Sequence, residues 1–188
     1  TTLANLLAKN GHEVKLWVRE KELLIDIRGK SENTWYLPGL KLSPNIDATD
    51  SLEQALTGAA AYLYVVPAQF FGQVLTQCKE YLPKRPVIIC ANKGIELTSL
   101  RCMSEIVEES LGALKPIYAI LSGPSFAKEL SQEMPTAVSL GCADKKTAKM
   151  VQELFSTPFF RVYTNPDYRG VELGGAVKNI IAIAAGIS

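Results

Sequence analysis

The feature that most constrains the fold is a regular alternation of short apolar segments with longer segments of helical spacing. Residues 61–66, 86–91 and 116–121 are almost entirely apolar and carry no charged side chain. Such segments are typical of strands buried on both faces of a parallel sheet, with the intervening helices covering those faces. The pattern therefore predicts an α/β protein with a Rossmann-like, mainly parallel sheet.

Further strands and helices extend this pattern along the chain. We predict strands at 14–18, 136–141 and 159–163, and helices at 1–10, 20–28, 69–82, 99–113 and 144–155, with another helix start at Ser51. Ser122-Gly123-Pro124 predicts the start of one more helix, because proline is favoured at the first helical position. Residues 29–50 are polar and contain three turn signals, so we predict a polar connection there.

The C-terminal segment has a different composition from the rest. Residues 170–188 are mainly Gly, Ala, Val, Ile and Leu, interrupted by Lys178 and Asn179. No side of a helix drawn through them is generally polar, so we predict a helix buried on most faces, too short and too interrupted to span a membrane. The change near residues 164–166 predicts a boundary between one domain at 1–164 and the start of a second at 165–188.

Lys178 is the unusual residue of this helix. Its helical neighbours Gly174, Gly175 and Ala182 are small, so they leave a hollow beside its ammonium group. A lysine is almost never fully buried without a partner or a task. One interpretation is a functional lysine in a cavity. The other is a lysine that extends to the surface while the glycines allow close helix packing.

The composition excludes several classes of function. Twenty basic residues nearly cancel nineteen acidic ones, which gives no electrostatic case for binding nucleic acid or an anionic membrane. His12 is the only histidine and lies in a predicted turn, so Ser-His-Asp, Cys-His and histidine-rich metal sites are excluded. The four cysteines form no CxxC pair, which fits a reduced, cytosolic protein. Acid–base chemistry must therefore use Lys, Asp, Glu, Tyr or Cys.

The ends of the predicted strands are the places to look for ligands, because α/β folds bind them beyond the carboxyl ends of strands. Lys93 follows a buried strand and would meet a phosphate or carboxylate there, or be a solvated turn lysine. Residues 122–125 place a hydroxyl and backbone N–H groups at a predicted helix start, which suits an anion or is an ordinary cap. Arg19 ends an early strand, where an arginine accommodates a dinucleotide 2′-phosphate or is simply a surface charge. The Phe70 side chain would pack against a bound cofactor or belong to the hydrophobic core.

Together these features predict two lysines and an anion-binding turn around one crevice. Two lysines that lie close together lower each other's pKa, and desolvation lowers it further. A lysine in such a pair can become an acid–base group near neutral pH. A bound phosphate would offset the charge. This arrangement favours chemistry on a phosphorylated substrate over a structural pair.

Several motifs, taken in order, resemble those of one family. They are Asn10-Gly11-His12-Glu13-Val14, Leu16-Trp17, Tyr36-Leu37-Pro38-Gly39, Val65-Val66-Pro67, Lys93-Gly94, SGPSFAKEL at 122–130, PTAVSL at 135–140 and LGGAVKN at 173–179. The chain is similar over its whole length to the bacterial-type NAD(P)-dependent glycerol-3-phosphate dehydrogenases. The SGPSFAKE and LGGAVKN motifs are highly specific as a pair.

The resemblance implies a reaction and a set of substrate-binding residues. The reaction is reversible hydride transfer between NAD(P)H and dihydroxyacetone phosphate, giving sn-glycerol 3-phosphate for phospholipid synthesis. Lys178 matches the family's proton donor and acceptor, and Asn179 would help to orient that site. Lys93 matches the lysine that touches both substrate and nicotinamide, and Gly123 and Ser125 match substrate contacts.

The resemblance also implies the cofactor and the setting of the protein. Ala127 matches a cofactor contact, Arg19 matches the residue on the adenosine side, and Tyr36 and Phe70 would approach the cofactor. The cofactor is NADP(H), NAD(H) or both, and Arg19 favours NADP(H). The family implies a homodimeric full-length protein in the cytoplasm that acts on a small phosphorylated molecule, with no bound metal, nucleic acid or stable membrane insertion.

The chain departs from the family pattern at both ends. The family's glycine-rich loop would lie just before Thr1, and its helical C-terminal domain would follow Ser188. The resemblance therefore implies a sheet that lacks its first strand, followed by the first helix of an α-helical C-terminal domain. We expect the chain as given to bind cofactor poorly and to turn over little or no substrate.

Two other functions stay open on the sequence. One is another lysine-dependent β-hydroxyacid-type dehydrogenase, such as a 6-phosphogluconate relative, against which the SGPSFAKE turn argues. The other is a nucleotide-binding module without catalysis, against which the presence of both Lys93 and Lys178 argues.

Overall fold

The computed structural model describes residues 1–187. Its strands are β1 (Val14–Trp17), β2 (Ile46–Thr49), β3 (Tyr62–Tyr64), β4 (Val87–Cys90), β5 (Ile117–Ser122), β6 (Thr136–Gly141) and β7 (Phe160–Asn165). Its α-helices are α1 (Thr2–Lys9), α2 (Lys21–Lys30), α3 (Leu52–Leu56), α4 (Ala68–Cys78), α5 (Met103–Leu111), α6 (Ala127–Ser131), α7 (Lys145–Phe155) and α8 (Tyr168–Ile187). Two short 3₁₀ helices, Lys79–Tyr81 and Gly112–Leu114, follow α4 and α5.

The strands form one small and one larger sheet. β1 and β2 pair in parallel, and the larger sheet has the order β3-β4-β5-β6-β7. Within the larger sheet every pair is parallel except β5 and β6, where Ser122 lies opposite Ser139. Because α6 has only five residues, the connection after β5 does not carry the chain back across the sheet. The predicted Rossmann-like α/β class with a mainly parallel sheet is confirmed.

Helices cover both faces of the larger sheet, as its apolar strands require. In β4, Ile88 packs into a cluster that contains Phe71 of α4, whereas Ile89 packs into a second cluster with Leu6 of α1 and Val151 of α7. Full burial of each such side chain stabilises the fold by roughly 1.5–3 kcal/mol. The carboxyl ends of β3, β4 and β5 are thereby fixed between two packed layers.

Two predicted elements differ from the structure. The segment 29–50, predicted as a polar connection, contains the strand β2. β2 has four residues and includes Asp47, so its apolar pattern is too short to identify without its partner β1. The helix predicted to start at Ser122-Gly123-Pro124 begins instead at Ala127, because Ser122 ends β5 and the Ser125 N–H bonds to the Gly123 oxygen in a turn.

The predicted burial of the C-terminal helix is wrong for the described residues. Only Glu172 of α8 is buried, and Ile180, Ile183 and Ile187 are 67%, 64% and 82% exposed. The first half of α8 packs on β5 and β6, and every residue from 179 to 187 is exposed.

The expectation that the segment of α8 is too short and too interrupted to span a membrane also differs from the structure. The helix has 20 residues, and its most apolar window has a mean hydropathy of 1.4. By length and composition alone it is therefore long enough to cross a membrane, contrary to the sequence-based expectation. A single helix of this kind is weak evidence of a membrane protein, because core helices of soluble proteins meet the same criteria.

Candidate active site

An open cleft lies beyond the carboxyl ends of β4 and β5, where α8 crosses the sheet. Its cavity has a volume of about 260 Å³. It is lined by Lys93, Ser122, Gly123, Ser139, Gly170, Val171, Gly174, Gly175 and Lys178. The structure therefore brings together Lys93, Gly123 and Lys178, which the sequence places far apart.

Lys93 is held at the end of β4 by its buried neighbour Asn92. The side-chain oxygen of Asn92 accepts a hydrogen bond from the Val66 N–H at 3.0 Å, which connects the ends of β3 and β4. The Lys93 residue is exposed as a whole, but its ammonium donates to the Gly123 carbonyl oxygen at 3.2 Å. Partial desolvation lowers the pKa of Lys93, and the nearby charge of Lys178 lowers it further.

Lys178 enters the same cleft from α8. The residue is half-buried, and its ammonium lies 5.2 Å from the centroid of the Phe126 ring. This distance is within the range of a cation–π interaction. Lys178 thus has the aromatic ring on one side and the cavity that it shares with Lys93 on another.

Glycines of α8 form the wall of the cleft beside Lys178. A Cβ atom on Gly174 would meet no atom within 4 Å, whereas a Cβ on Gly175 would collide with the Ser122 hydroxyl. Gly175 therefore allows the helix to approach β5 closely, and Gly174 leaves open space. The predicted hollow is present around these two glycines, but Ala182 does not line it.

Two serines also line the cleft: Ser122, which belongs to the anion-binding turn predicted from the sequence, and Ser139, which sequence reasoning missed. Ser122 ends β5, and Ser139 lies directly opposite it on β6. Their juxtaposition depends on the antiparallel pairing of these strands, for which the sequence offers no local signal. In β6, Val138 and Leu140 are buried and Ser139 is exposed, so the strand alternation was the available hint.

The other predicted substrate residues lie near the cleft without lining it. The Ser125 N–H donates to the Gly123 oxygen at 2.9 Å, so it is engaged within the turn. Asn179 follows Lys178 on α8 and is exposed. We predicted that an anion binds to a helix N-terminus at residues 122–125. In the structure these residues form a turn, and the short helix α6 begins only at Ala127, so no helix starts at the predicted place.

The residues predicted to bind the cofactor are exposed and lie in different parts of the fold. Arg19 follows β1 and forms an ion pair with Glu20 at 2.8 Å. Phe70 lies in the first turn of α4 and is 51% exposed. Tyr36 lies between α2 and β2 and is 65% exposed, and Ala127 is the exposed first residue of α6.

A buried carboxylate supports α8 behind the cleft, and sequence reasoning missed it as well. Glu172 accepts hydrogen bonds from the Ser104 N–H at 3.0 Å, the Ser104 hydroxyl at 2.6 Å and the Tyr118 hydroxyl at 2.7 Å. Burial raises the pKa of Tyr118, and the charges of Cys90 and Glu172 raise it further. Tyr118 therefore stays a hydrogen-bond donor over the physiological range.

The chain matches two parts of one family profile. Residues 1–148 match the profile described as the NAD-dependent glycerol-3-phosphate dehydrogenase N-terminus, and residues 167–188 match the corresponding C-terminus. A glycerol-3-phosphate dehydrogenase [NAD(P)+] of Maridesulfovibrio salexigens is 54% identical, and one of Solidesulfovibrio magneticus is 52% identical, over all of this chain. The chain spans 57% of the length of each of these curated relatives.

A crystal structure of glycerol-3-phosphate dehydrogenase from Coxiella burnetii has a similar fold. It superposes with a TM-score of 0.90 at 37% sequence identity, covering 100% of this chain and 57% of that one. The similarity extends through α8, so the crossing of this helix over the sheet is part of the shared architecture.

Proposed function

The chain belongs to the NAD-dependent glycerol-3-phosphate dehydrogenase family, and we propose that it supplies the catalytic cleft for reversible reduction of dihydroxyacetone phosphate to sn-glycerol 3-phosphate. The observation that carries this proposal is the meeting of Lys93 and Lys178 in one cavity. Two cations in a partly desolvated cleft are unfavourable alone and favourable with a phosphate-bearing substrate.

Lys178 is the proposed acid–base residue. In the reducing direction its ammonium donates a proton to the carbonyl oxygen of the substrate while the carbonyl carbon gains a hydride. In the reverse direction the neutral amine takes the proton from the hydroxyl group as hydride leaves the same carbon. The net change is one ketone, one hydride and one proton converted to one alcohol. The half-buried position of Lys178 beside the open wall at Gly174 supports this role.

Lys93 is proposed to bind and orient the substrate. Its ammonium already has one acceptor, the Gly123 oxygen, and retains donors for a substrate oxygen. An anionic substrate would raise the lowered pKa of Lys93 and keep the ammonium charged. We further propose that Gly123, Ser125 and Asn179 contact the substrate from the rim of the cleft.

The residues present fit a nicotinamide dinucleotide, NAD(H) or NADP(H). Exposed apolar side chains follow β3 at Val65 and Phe70, and the exposed Arg19 guanidinium follows β1. An apolar wall suits a planar ring, and an arginine at this place suits a 2′-phosphate. We propose that Lys93, Tyr36 and Ala127 complete this surface. When bound, the dinucleotide supplies or accepts the hydride.

We make four further proposals about the protein as a whole. Residues 1–164 form the dinucleotide-binding domain, and residues 165–188 begin the substrate domain. The protein acts as a homodimer on a small phosphorylated molecule, with no nucleic acid and no stable membrane insertion. It works in the cytoplasm, consistent with four unpaired cysteines. Its product serves phospholipid synthesis.

The test is an activity assay on a chimera in which these 188 residues replace the matching segment of the Maridesulfovibrio salexigens relative. Oxidation of NADPH and NADH is followed with dihydroxyacetone phosphate, and oxidation of 6-phosphogluconate is assayed with NADP+ and NAD+. We expect turnover with dihydroxyacetone phosphate only. A chimera that binds the dinucleotide but reduces no phosphorylated ketone would refute the proposal.

A further inference from the structure

We propose that Glu172 is a positioning residue: by binding the N-terminus of α5, it holds α8 in the register that brings Lys178 opposite Lys93. The inference rests on the proposed function, because the two lysines are the groups that it positions. Glu172 itself does not line the cleft.

The surroundings of Glu172 suit a carboxylate, because all three of its hydrogen-bond partners donate to it. Both of its oxygens are engaged, since one accepts from the Ser104 N–H and the Tyr118 hydroxyl and the other accepts from the Ser104 hydroxyl. Ser104 is the second residue of α5, so its N–H belongs to the positive end of that helix. A buried carboxylate from α8 therefore satisfies the start of a different helix.

The same turn of α5 also supports Lys93. The side-chain amide of Asn92, the residue before Lys93, lies 3.8 Å from the sulfur of Met103, the first residue of α5. Asn92 in turn fixes the Val66 N–H at the end of β3. One end of α5 thus contacts the segments that carry both lysines, through Asn92 on one side and Glu172 on the other.

The position of Lys178 depends on the anchor at Glu172. Lys178 lies six residues further along α8, or about 9 Å along the helix axis. Between them, Gly175 packs against Ser122, which limits how close the helix comes but forms no polar bond that would fix its rotation. After Lys178 the helix is exposed to its last described residue. Without the bonds of Glu172, α8 keeps packing contacts such as that of Tyr168 with Tyr118, which fix its rotation less strictly than three hydrogen bonds do.

A first experiment separates positioning from simple stabilisation. In the chimera, Glu172→Ala and Glu172→Gln are compared with Glu153→Gln, which alters an exposed glutamate of α7. We expect Glu172→Ala to lower kcat roughly 10- to 100-fold, with the dinucleotide Kd changed by no more than about threefold. Glu172→Gln keeps the shape of the side chain, so we expect a smaller loss of kcat than for Glu172→Ala. The kcat of Glu153→Gln stays within about twofold of the parent value.

Two outcomes of this experiment would overturn the inference. One is an unchanged kcat in a folded Glu172→Ala variant. The other is a loss of kcat that is fully explained by a smaller fraction of folded protein and is accompanied by an equal loss of dinucleotide affinity. In that case Glu172 would be merely structural. If Glu172→Ala does not fold, Ser104→Ala carries the comparison, because it removes a single hydroxyl donor and leaves the carboxylate two partners.

A second measurement does not depend on catalysis. The lysines of the chimera are labelled by reductive methylation with ¹³C, and the NMR signal of Lys93 is titrated in the parent, Glu172→Ala and Lys178→Ala proteins. We expect both variants to raise the pKa of Lys93, because each removes the Lys178 charge from its surroundings. A Lys93 titration that Glu172→Ala leaves unchanged would overturn the inference while the proposed reaction stands. If the parent chimera reduces no dihydroxyacetone phosphate but the Lys93 pKa still rises in both variants, the proposed reaction is refuted and the positioning role stays supported.

Discussion

The ammonium of Lys178 lies 5.2 Å from the centroid of the Phe126 ring, so α8 and the turn between β5 and α6 meet directly at the candidate active site. The ring is 58% exposed, which places this contact among the weaker cation–π interactions. Such contacts at exposed sites contribute about 0.5–1 kcal/mol. The ring restricts where the ammonium moves without neutralising its charge.

Replacing this ring tests its contribution to catalysis. In the chimera, we expect Phe126→Leu to lower kcat by about two- to fivefold, because the ammonium loses the favourable contact that restricts its rotamers. Phe126→Tyr keeps the ring and is the matched control. Steady-state kinetics of both variants gives the answer, and equal rates for Leu and Tyr would rule out a role for the ring.

The close approach of α8 to β5 predicts opposite effects for two adjacent glycines. We expect Gly175→Ala to lower the free energy of unfolding by up to about 1 kcal/mol, because its Cβ would meet the Ser122 hydroxyl, which must rotate into another rotamer. Gly174→Ala meets open space and raises or preserves stability, since alanine favours a helix. Urea unfolding of the two variants measures the difference. A Gly174→Ala variant as destabilised as Gly175→Ala would show that the helix does not pack as described.

Arg19 predicts the preference between the two dinucleotides. The side chain of Arg19 is 71% exposed and its partner Glu20 is adjacent in sequence, so the guanidinium has donors left for a 2′-phosphate. We expect Arg19→Ala to weaken NADPH binding about tenfold through loss of charge-assisted hydrogen bonds. NADH binding changes little, because NADH lacks that phosphate. Fluorescence titration of the chimera gives both Kd values, with Arg161→Ala, an exposed arginine of β7, as the control. Equal losses for the two dinucleotides would contradict this role.

The lowered pKa of Lys93 predicts a dependence of stability on pH. The folded protein disfavours the charged lysine, first through desolvation and then through the Lys178 charge. Between the lowered pKa and the ordinary one, the unfolded chain therefore binds more protons, so the stability contributed at this site rises with pH. Urea unfolding of this chain and its Lys93→Gln variant at neutral pH and near pH 9.5 tests the sign. We expect the parent to gain stability relative to the variant at the higher pH, and a constant difference would contradict the interpretation.

The sequence predicts those parts of the structure in which local pattern and burial agree. β3, β4 and β5 were identified because side chains such as Ile88 and Ile89 are both buried, on opposite faces of the sheet. β2 was missed because its four residues acquire their register only from β1. The exposure of α8 was missed because a run of apolar residues reports what a helix prefers to bury, not what lies beside it.

The candidate site shows the same division. Lys93 and Lys178 were singled out because a lysine after a buried strand and a lysine among glycines are unusual in their local surroundings, and the family resemblance then favoured a functional role for each. Ser139 and Glu172 have unremarkable neighbours in sequence. Ser139 reaches the cleft only through its pairing with Ser122, and Glu172 reaches Ser104 across 68 residues of chain. The strand alternation indicates that Ser139 is exposed, but the sequence holds no local pattern that identifies the long-range partner of either residue.

The central claim is that Lys178 is the acid–base group of the proposed reaction. The most direct measurement is kcat for dihydroxyacetone phosphate reduction by the Lys178→Ala chimera, with dinucleotide Kd measured in parallel and Lys149→Ala, an exposed lysine of α7, as the control. The account predicts a loss of about 100-fold or more for Lys178→Ala with dinucleotide binding retained. A Lys178→Ala chimera that keeps the parental kcat would contradict it.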